Sequence, residues 1–214
     1  MPSKKSGTRR FSPGSIRTVG ITGGIGSGKS TVCRLLEEQG YPVLSADPLA
    51  VEIEESDPVV IRKIKSLLGL EAYTAQGALN KPYVAEQIFS SKRLQKSIEA
   101  VVHPAVFREL CRRISELSKT GERLVVVEAA LIFESGMHEG LDYVVVVNAD
   151  EAVRIKRVMD RDSVSADEVR KRMAAQWPME RKVRLADFAI GNNGSKEELQ
   201  SRVQLLRIII DQLA

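Results

Sequence analysis

Eight consecutive residues, Gly23-Gly24-Ile25-Gly26-Ser27-Gly28-Lys29-Ser30, carry the densest chemistry in the chain. Their spacing is that of a phosphate-binding loop, G-x-x-x-x-G-K-[ST]. Glycine at 23, 24, 26 and 28 opens backbone angles closed to other residues. Successive N–H groups can then turn inward and form a nest for anionic oxygens. A helix beginning near Lys29 adds the positive end of its dipole. Lys29 is placed to reach the β- and γ-phosphates, and the Ser30 hydroxyl to help hold a metal ion. The ligand class implied is a nucleoside triphosphate with Mg2+.

Other residues could act on such a ligand, each with a plainer alternative. Asp47 follows an apolar run and can accept or orient the proton of an attacking hydroxyl; with Pro48 behind it, it also reads as a helix N-cap. Glu128 ends a run of valines, where phosphate-loop proteins place an acidic residue near the metal; Glu134 lies a few residues on. Either carboxylate could equally be a solvated strand end. Arg154, Arg157 and Arg161 precede Arg170 and Arg172 in one basic stretch. Arg157 and Arg161 share a helical face and could neutralise a transferring phosphoryl group, or simply coat a solvated helix. His103 could donate to a substrate group, although Pro104 beside it predicts a bend or break in the helix. Gly191-Asn192-Asn193-Gly194 is a turn that could meet a nucleotide base, or only a turn. No Cys/His cluster has zinc spacing, and no N-K-x-D motif selects guanine.

These residues need a frame. Short apolar runs at Thr18–Thr22, Pro42–Ser45, Arg123–Glu128, Asp142–Val147 and Asp187–Ile190 are continuous rather than alternating, as expected of strands buried on both faces of a parallel sheet. The segments between them read as helices, giving a doubly wound α/β architecture. Residues 48–121 contain no convincing strand, only helical patterns at 57–68, 80–89 and 92–118. That length is too great for one crossover and predicts an inserted helical subdomain. Residues 150–184 form a second helical region, rich in Arg and Lys.

The chain of 214 residues carries a net charge of +4, but five of its basic residues lie within the first 17, where there is no acidic one. The remainder is slightly negative, so the charge argues against a nucleic-acid-binding face. Residues 1–17 are polar, with Gly and Pro, and are expected to be disordered; they contain no apolar core of a secretory signal. No apolar stretch reaches membrane-spanning length, and two cysteines without a signal fit the cytoplasm. A small-molecule partner is expected, with neither nucleic acid nor membrane; monomer and homo-oligomer both stay open.

Taken together the motifs resemble the dephospho-CoA kinases over nearly the whole chain from Thr18 onward. The opening GITGGIGSGKS, Ile98-Glu99 with His103-Pro104, the stretch VVVEAALIFESG, Arg157 with Arg161-Asp162 and Gln176, and Ala186-Asp187 with Asn192-Asn193-Gly194 carry the likeness. Two positions depart from it: Ser45 stands where the family's strand-two motif often has its first aspartate, and Ala130 where a proline is usual. The resemblance implies ATP-dependent phosphorylation of the 3′-hydroxyl of dephospho-CoA, giving coenzyme A and ADP, the last step of coenzyme A synthesis. It implies a three-layer phosphate-loop kinase fold of residues 18–214, with a five-stranded parallel sheet in the order 2-3-1-4-5. The insertion would bind dephospho-CoA and residues 150–184 would form a lid. ATP would sit on Gly23, Gly24, Gly26, Ser27, Gly28, Lys29, Ser30 and Thr31, with Asn192 near its base and Mg2+ at Ser30 and Glu128. Asp47, Lys29, Arg157 and Arg161 would be catalytic, and Asp47 and His103 would meet the acceptor. A kinase for another small metabolite or nucleotide is the second reading; a nucleotide-binding switch without phosphoryl transfer is the third.

Overall fold

The computed structural model describes residues 11 and 16–213. The expected disorder of the basic tail therefore lies outside the described residues, apart from Phe11, Ile16 and Arg17. Phe11 and Ile16 are buried, the Phe11 N–H donates to the Gly140 carbonyl, and Arg17 already belongs to the first strand.

The chain divides into two compact units, residues 1–45 with 113–214, and 46–112. The first is built on five parallel strands: β1 (Arg17–Thr22), β2 (Val43–Ser45), β3 (Leu124–Glu128), β4 (Tyr143–Asn148) and β5 (Phe188–Gly191). Their order is β2-β3-β1-β4-β5, as the resemblance implies. β-Branched residues dominate the central strands, where two-sided burial rewards a stiff, compact side chain. All five residues of β3 are buried, and so are the four valines of β4.

One face of the sheet presents Val19, Ile21, Val126, Val145 and Val147 to helices α1 (Lys29–Glu37) and α9 (Lys196–Leu213). Val32, Leu36, Val203 and Ile210 complete that core, each almost wholly excluded from water. The strand–loop–helix of β1 and α1 is thereby clamped on both sides. The same unit holds α6 (Glu151–Asp162), α7 (Ala166–Ala174) and α8 (Met179–Leu185). Ser165 and Glu168 form a reciprocal capping box that starts α7.

The second unit is helical: α2 (Ala46–Ser56), α3 (Pro58–Leu68), α4 (Lys81–Ser90) and the greater part of α5 (Lys92–Lys119). Asp57 caps α3 by accepting from the Val59 and Val60 amides, with Pro58 just inside the helix. Two tyrosine hydroxyls tie its turns, Tyr73 donating to the Glu54 carbonyl and Tyr83 to the Leu68 carbonyl, each over 2.8 Å. Two expectations are corrected here. Asp47 stands within the first turn of α2, not at its N-cap. Pro104 neither ends nor splits α5, which runs through it as one helix of 28 residues. Among the described residues no helix is long and apolar enough to cross a membrane.

Candidate functional site

β1 delivers the chain to the loop with Thr22 fully buried, and α1 starts at Lys29 on a left-handed Gly28 (φ 92°) with no side-chain cap. The first-turn amides are thus left without a side-chain acceptor, which suits an anion. Gly26 is also left-handed (φ 77°), and the Ser27 N–H closes back on the Gly24 carbonyl at 3.0 Å. Ser27 itself is fully buried, so it shapes the loop from within.

Neighbours grip the loop from outside. A Cβ on Gly26 would stand 2.5 Å from the Arg154 carbonyl and 2.9 Å from Val158 of α6; one on Gly28 would run into the Asn192 amide nitrogen. Glycine is needed at these positions for close approach as well as for φ. Asn192 is buried and its Nδ2 donates to the Ser27 carbonyl at 2.8 Å. The structure places that side chain behind the loop as a brace. The Ile25 N–H donates to Gln176 Oε1 at 2.9 Å, and the Gly24 N–H to Met179 Sδ at 3.2 Å. The motif that includes Gln176 does not mark it as a loop partner, and Met179 carries no motif; each lies about 150 residues away.

Glu128 is the hub of the polar site. Its Oε1 accepts from Lys29 Nζ at 3.0 Å and from Ser30 Oγ at 2.7 Å, and its Oε2 accepts from Ser45 Oγ at 2.7 Å. Strand register makes this meeting obligatory, since Glu128 pairs with Ile21 on one side and with Ser45 on the other. Ser45 was visible in the sequence only as a departure from a motif. Its hydroxyl gives Glu128 a neutral donor where a second carboxylate would add repulsion. Burial pushes the Glu128 carboxyl up, but Ser30, the Lys29 charge and Ser45 together hold it below the usual carboxylate range.

A group with a depressed folded pKa stabilises the fold above its unfolded pKa, near 4.3 for glutamate. That contribution is lost as pH falls through the folded value. Glu128→Gln is therefore expected to cost stability at pH 7, with the gap to the parent narrowing below about pH 4. Urea melts at pH 7 and pH 3.5 measure the two gaps; equal gaps would contradict the assignment.

The turn after β3 is held by a buried ion pair. Lys182 of α8 has no exposed surface, and its Nζ lies 2.7 Å from Glu134 Oε1 and 3.0 Å from the Ala130 carbonyl. Glu134 Oε1 also accepts from the Trp177 N–H at 2.9 Å. Ala130, the second departure, thus serves through its carbonyl, which also accepts from the Thr22 hydroxyl at 3.2 Å.

The arginines of α6 divide. Arg157 donates to the Asn192 carbonyl at 2.9 Å, reinforcing the brace behind Ser27. Arg161 is exposed and forks onto Asp162, which Arg172 also contacts. In the second unit, Asp47 lies two residues along the chain from Ser45. His103 sits half-buried in α5, and burial lowers its pKa against the opposing pull of Glu99, which favours the neutral imidazole.

Among the described residues no group of three or more His, Cys, Asp and Glu gathers as a metal cluster. A hydroxyl and a carboxylate, Ser30 and Glu128, are the oxygens next to the loop. Hard oxygen donors in that number fit Mg2+, which commonly takes one or two protein oxygens plus substrate phosphates and waters.

The chain is similar to known proteins along most of its length. A family model described as dephospho-CoA kinase matches residues 17–198. The dephospho-CoA kinase of Chlorobium luteolum is 38% identical over 200 residues, covering 92% of this chain and 91% of its own. That of Geobacter sulfurreducens is 40% identical over 190 residues, covering 88% and 96%. Among solved structures, TT1252 from Thermus thermophilus superposes with a TM-score of 0.79 at 37% identity, over 94% of this chain and all of that one. Dephospho-CoA kinase from Campylobacter jejuni gives 0.69 at 27%, over 91% and 97%.

Proposed function

The chain belongs to the dephospho-CoA kinase family, and from that membership we propose the residues by which it moves a phosphoryl group from ATP to the 3′-hydroxyl of dephospho-CoA. The observation that carries the assignment is the convergence of Lys29, Ser30 and Ser45 on Glu128 at the carboxyl ends of β1, β2 and β3. Ligands of open α/β sheets sit beyond those strand ends. The three-residue hub pre-sets the loop's lysine and hydroxyl before any nucleotide arrives.

In this reading the triphosphate is held by those loop amides that Gln176, Met179 and the loop's own carbonyls do not take. Lys29 leaves Glu128 for the phosphate oxygens, a short swing for a flexible stem. Ser30 and Glu128 hold Mg2+, directly or through its waters; when bound, the ion neutralises phosphate charge and fixes the phosphate geometry. Asp47 accepts the acceptor's hydroxyl proton. Arg157 and Arg161 lie on the helix whose other side chains press on the loop, and they answer the charge spread over a loose transition state. Acceptor recognition belongs to the unit 46–112, where His103 is held neutral and able to donate. Two free thiols, Cys33 and Cys111, suit a reducing compartment such as the cytoplasm.

The test is ADP release in a coupled assay, with dephospho-CoA as acceptor against adenosine and AMP. Saturable release with dephospho-CoA alone is the expected result. Equal or greater turnover with adenosine or AMP would favour a kinase of broader range, and ATP binding without acceptor-dependent ADP would make the chain a nucleotide-binding switch.

A further inference from the structure

Among the described residues Arg154 is the one buried arginine, at 8% exposure. It lies on α6, one turn before Arg157 and Val158, on the face that packs against the phosphate loop. A Cβ on Gly24 would stand 2.5 Å from Arg154 Nη1, so the guanidinium rests directly on the loop's main chain. Met179 Sδ lies against the same glycine and takes its N–H. The Arg154 Nε is shut off from water and has no hydrogen-bond partner among the described residues. Among the described residues no carboxylate forms an ion pair with the group; Glu151 and Glu180 act on it only at longer range, and burial draws it below the usual arginine range.

A buried guanidinium without a counter-ion is unfavourable relative to a paired one. A carboxylate partner would offset that cost, and none among the described residues supplies one. The anion that belongs at this place is the one the loop is built to bind. We propose that Arg154 is a further phosphate-binding residue, whose buried charge is satisfied by the polyphosphate chain held on Gly24–Ser30. Free protein would then be strained at α6 and relieved by nucleotide, so that Arg154 makes the loop selective for highly charged ligands. The inference rests on the loop being a triphosphate site.

Three variants separate the possibilities: Arg154→Met, which keeps the stem and loses the charge, Arg154→Lys, and Lys29→Ala as the reference for the loop itself. Calorimetric titration with Mg-ATP gives affinity; thermal melts with and without nucleotide give stability. Arg154→Met is expected to bind Mg-ATP at least about tenfold more weakly, with a shallower salt dependence, while KM for dephospho-CoA stays within about twofold. Its melting point without nucleotide should equal or exceed the parent's, since an uncompensated buried charge has been removed. Arg154→Lys should fall between, keeping the charge but not the fork.

Parental ATP affinity in Arg154→Met, with weakened binding in Lys29→Ala, would overturn the proposal alone; parental affinity in both would also remove the triphosphate reading. A lowered melting point in Arg154→Met with an unchanged nucleotide-induced increment would likewise overturn it, leaving a packing role. So would failure of Arg154→Met to fold while Arg154→Lys folds and binds as the parent does.

Discussion

Lys29→Ala is expected to weaken Mg-ATP binding by about 100-fold and to lower turnover by about 1000-fold or more, while the circular dichroism spectrum stays native. The reasoning starts from the ion pair. Lys29 and Glu128 meet at 3.0 Å with side chains only 17% and 10% exposed. Lys29 is the cation paired with Glu128 among the described residues. Its removal deletes charge-assisted bonds to the phosphates, each about 1.5–3 kcal/mol. It also leaves a negative carboxylate at the mouth of the loop with only two hydroxyl partners. That second effect repels the triphosphate and makes the loss larger than a missing contact. Lys29→Arg should not restore binding, because a planar fork cannot follow the short swing from carboxylate to phosphate that a point charge makes. Titration calorimetry with Mg-ATP and Mg-ADP checks affinity. Parental affinity in the alanine variant would end the assignment of Gly23–Ser30 as a nucleotide site.

The contrast between Lys29 and Arg154 explains what the sequence discloses and what it hides. Lys29, Ser30 and Glu128 are legible because each has a local signature: a glycine-rich run before a helix, and a carboxylate closing a run of valines. The five strands are legible for the same reason, and their ends lie within a residue or so of the apolar runs. Pro104 misleads because the sequence shows the missing N–H and not the surroundings that let α5 continue through it. Asn192, Gln176, Met179 and Arg154 gain their places from contacts across the fold. Asn192 reads as part of a turn that could meet a nucleotide base, and Arg154 as one basic residue in a charged helix. Only packing of α6 and the α7–α8 connection against Gly24, Ile25 and Gly26 separates them from their neighbours. The glycines themselves were a partial signal. Their number exceeds what the backbone angles demand, since Gly24 is not left-handed; a Cβ there would meet the ends of the Arg154 and Met179 side chains.

Asp47→Asn should lower turnover with dephospho-CoA by about 100- to 10,000-fold, the span of a lost general base, with Mg-ATP affinity within about threefold of the parent. Asparagine keeps the size and a hydrogen-bonding oxygen, so it can still orient a hydroxyl but cannot take its proton. The case for Asp47 comes from the chain's path. β2 ends at Ser45, whose hydroxyl is bound to Glu128, and Asp47 follows two residues later in the first turn of α2. Ser45 itself meets the same carboxylate that holds Lys29 and Ser30. A carboxylate in a helix's first turn also complements the dipole, which is worth about 0.3–1 kcal/mol. The two roles make different demands. The dipole role predicts a small fall in melting point and unchanged chemistry; the base role predicts little change in melting point and a collapse of kcat at unchanged KM for ATP. Single-turnover measurements, which exclude product release, read the chemical step directly. A rate within about threefold of the parent's would take Asp47 out of the reaction and leave it as a residue that steadies the start of α2.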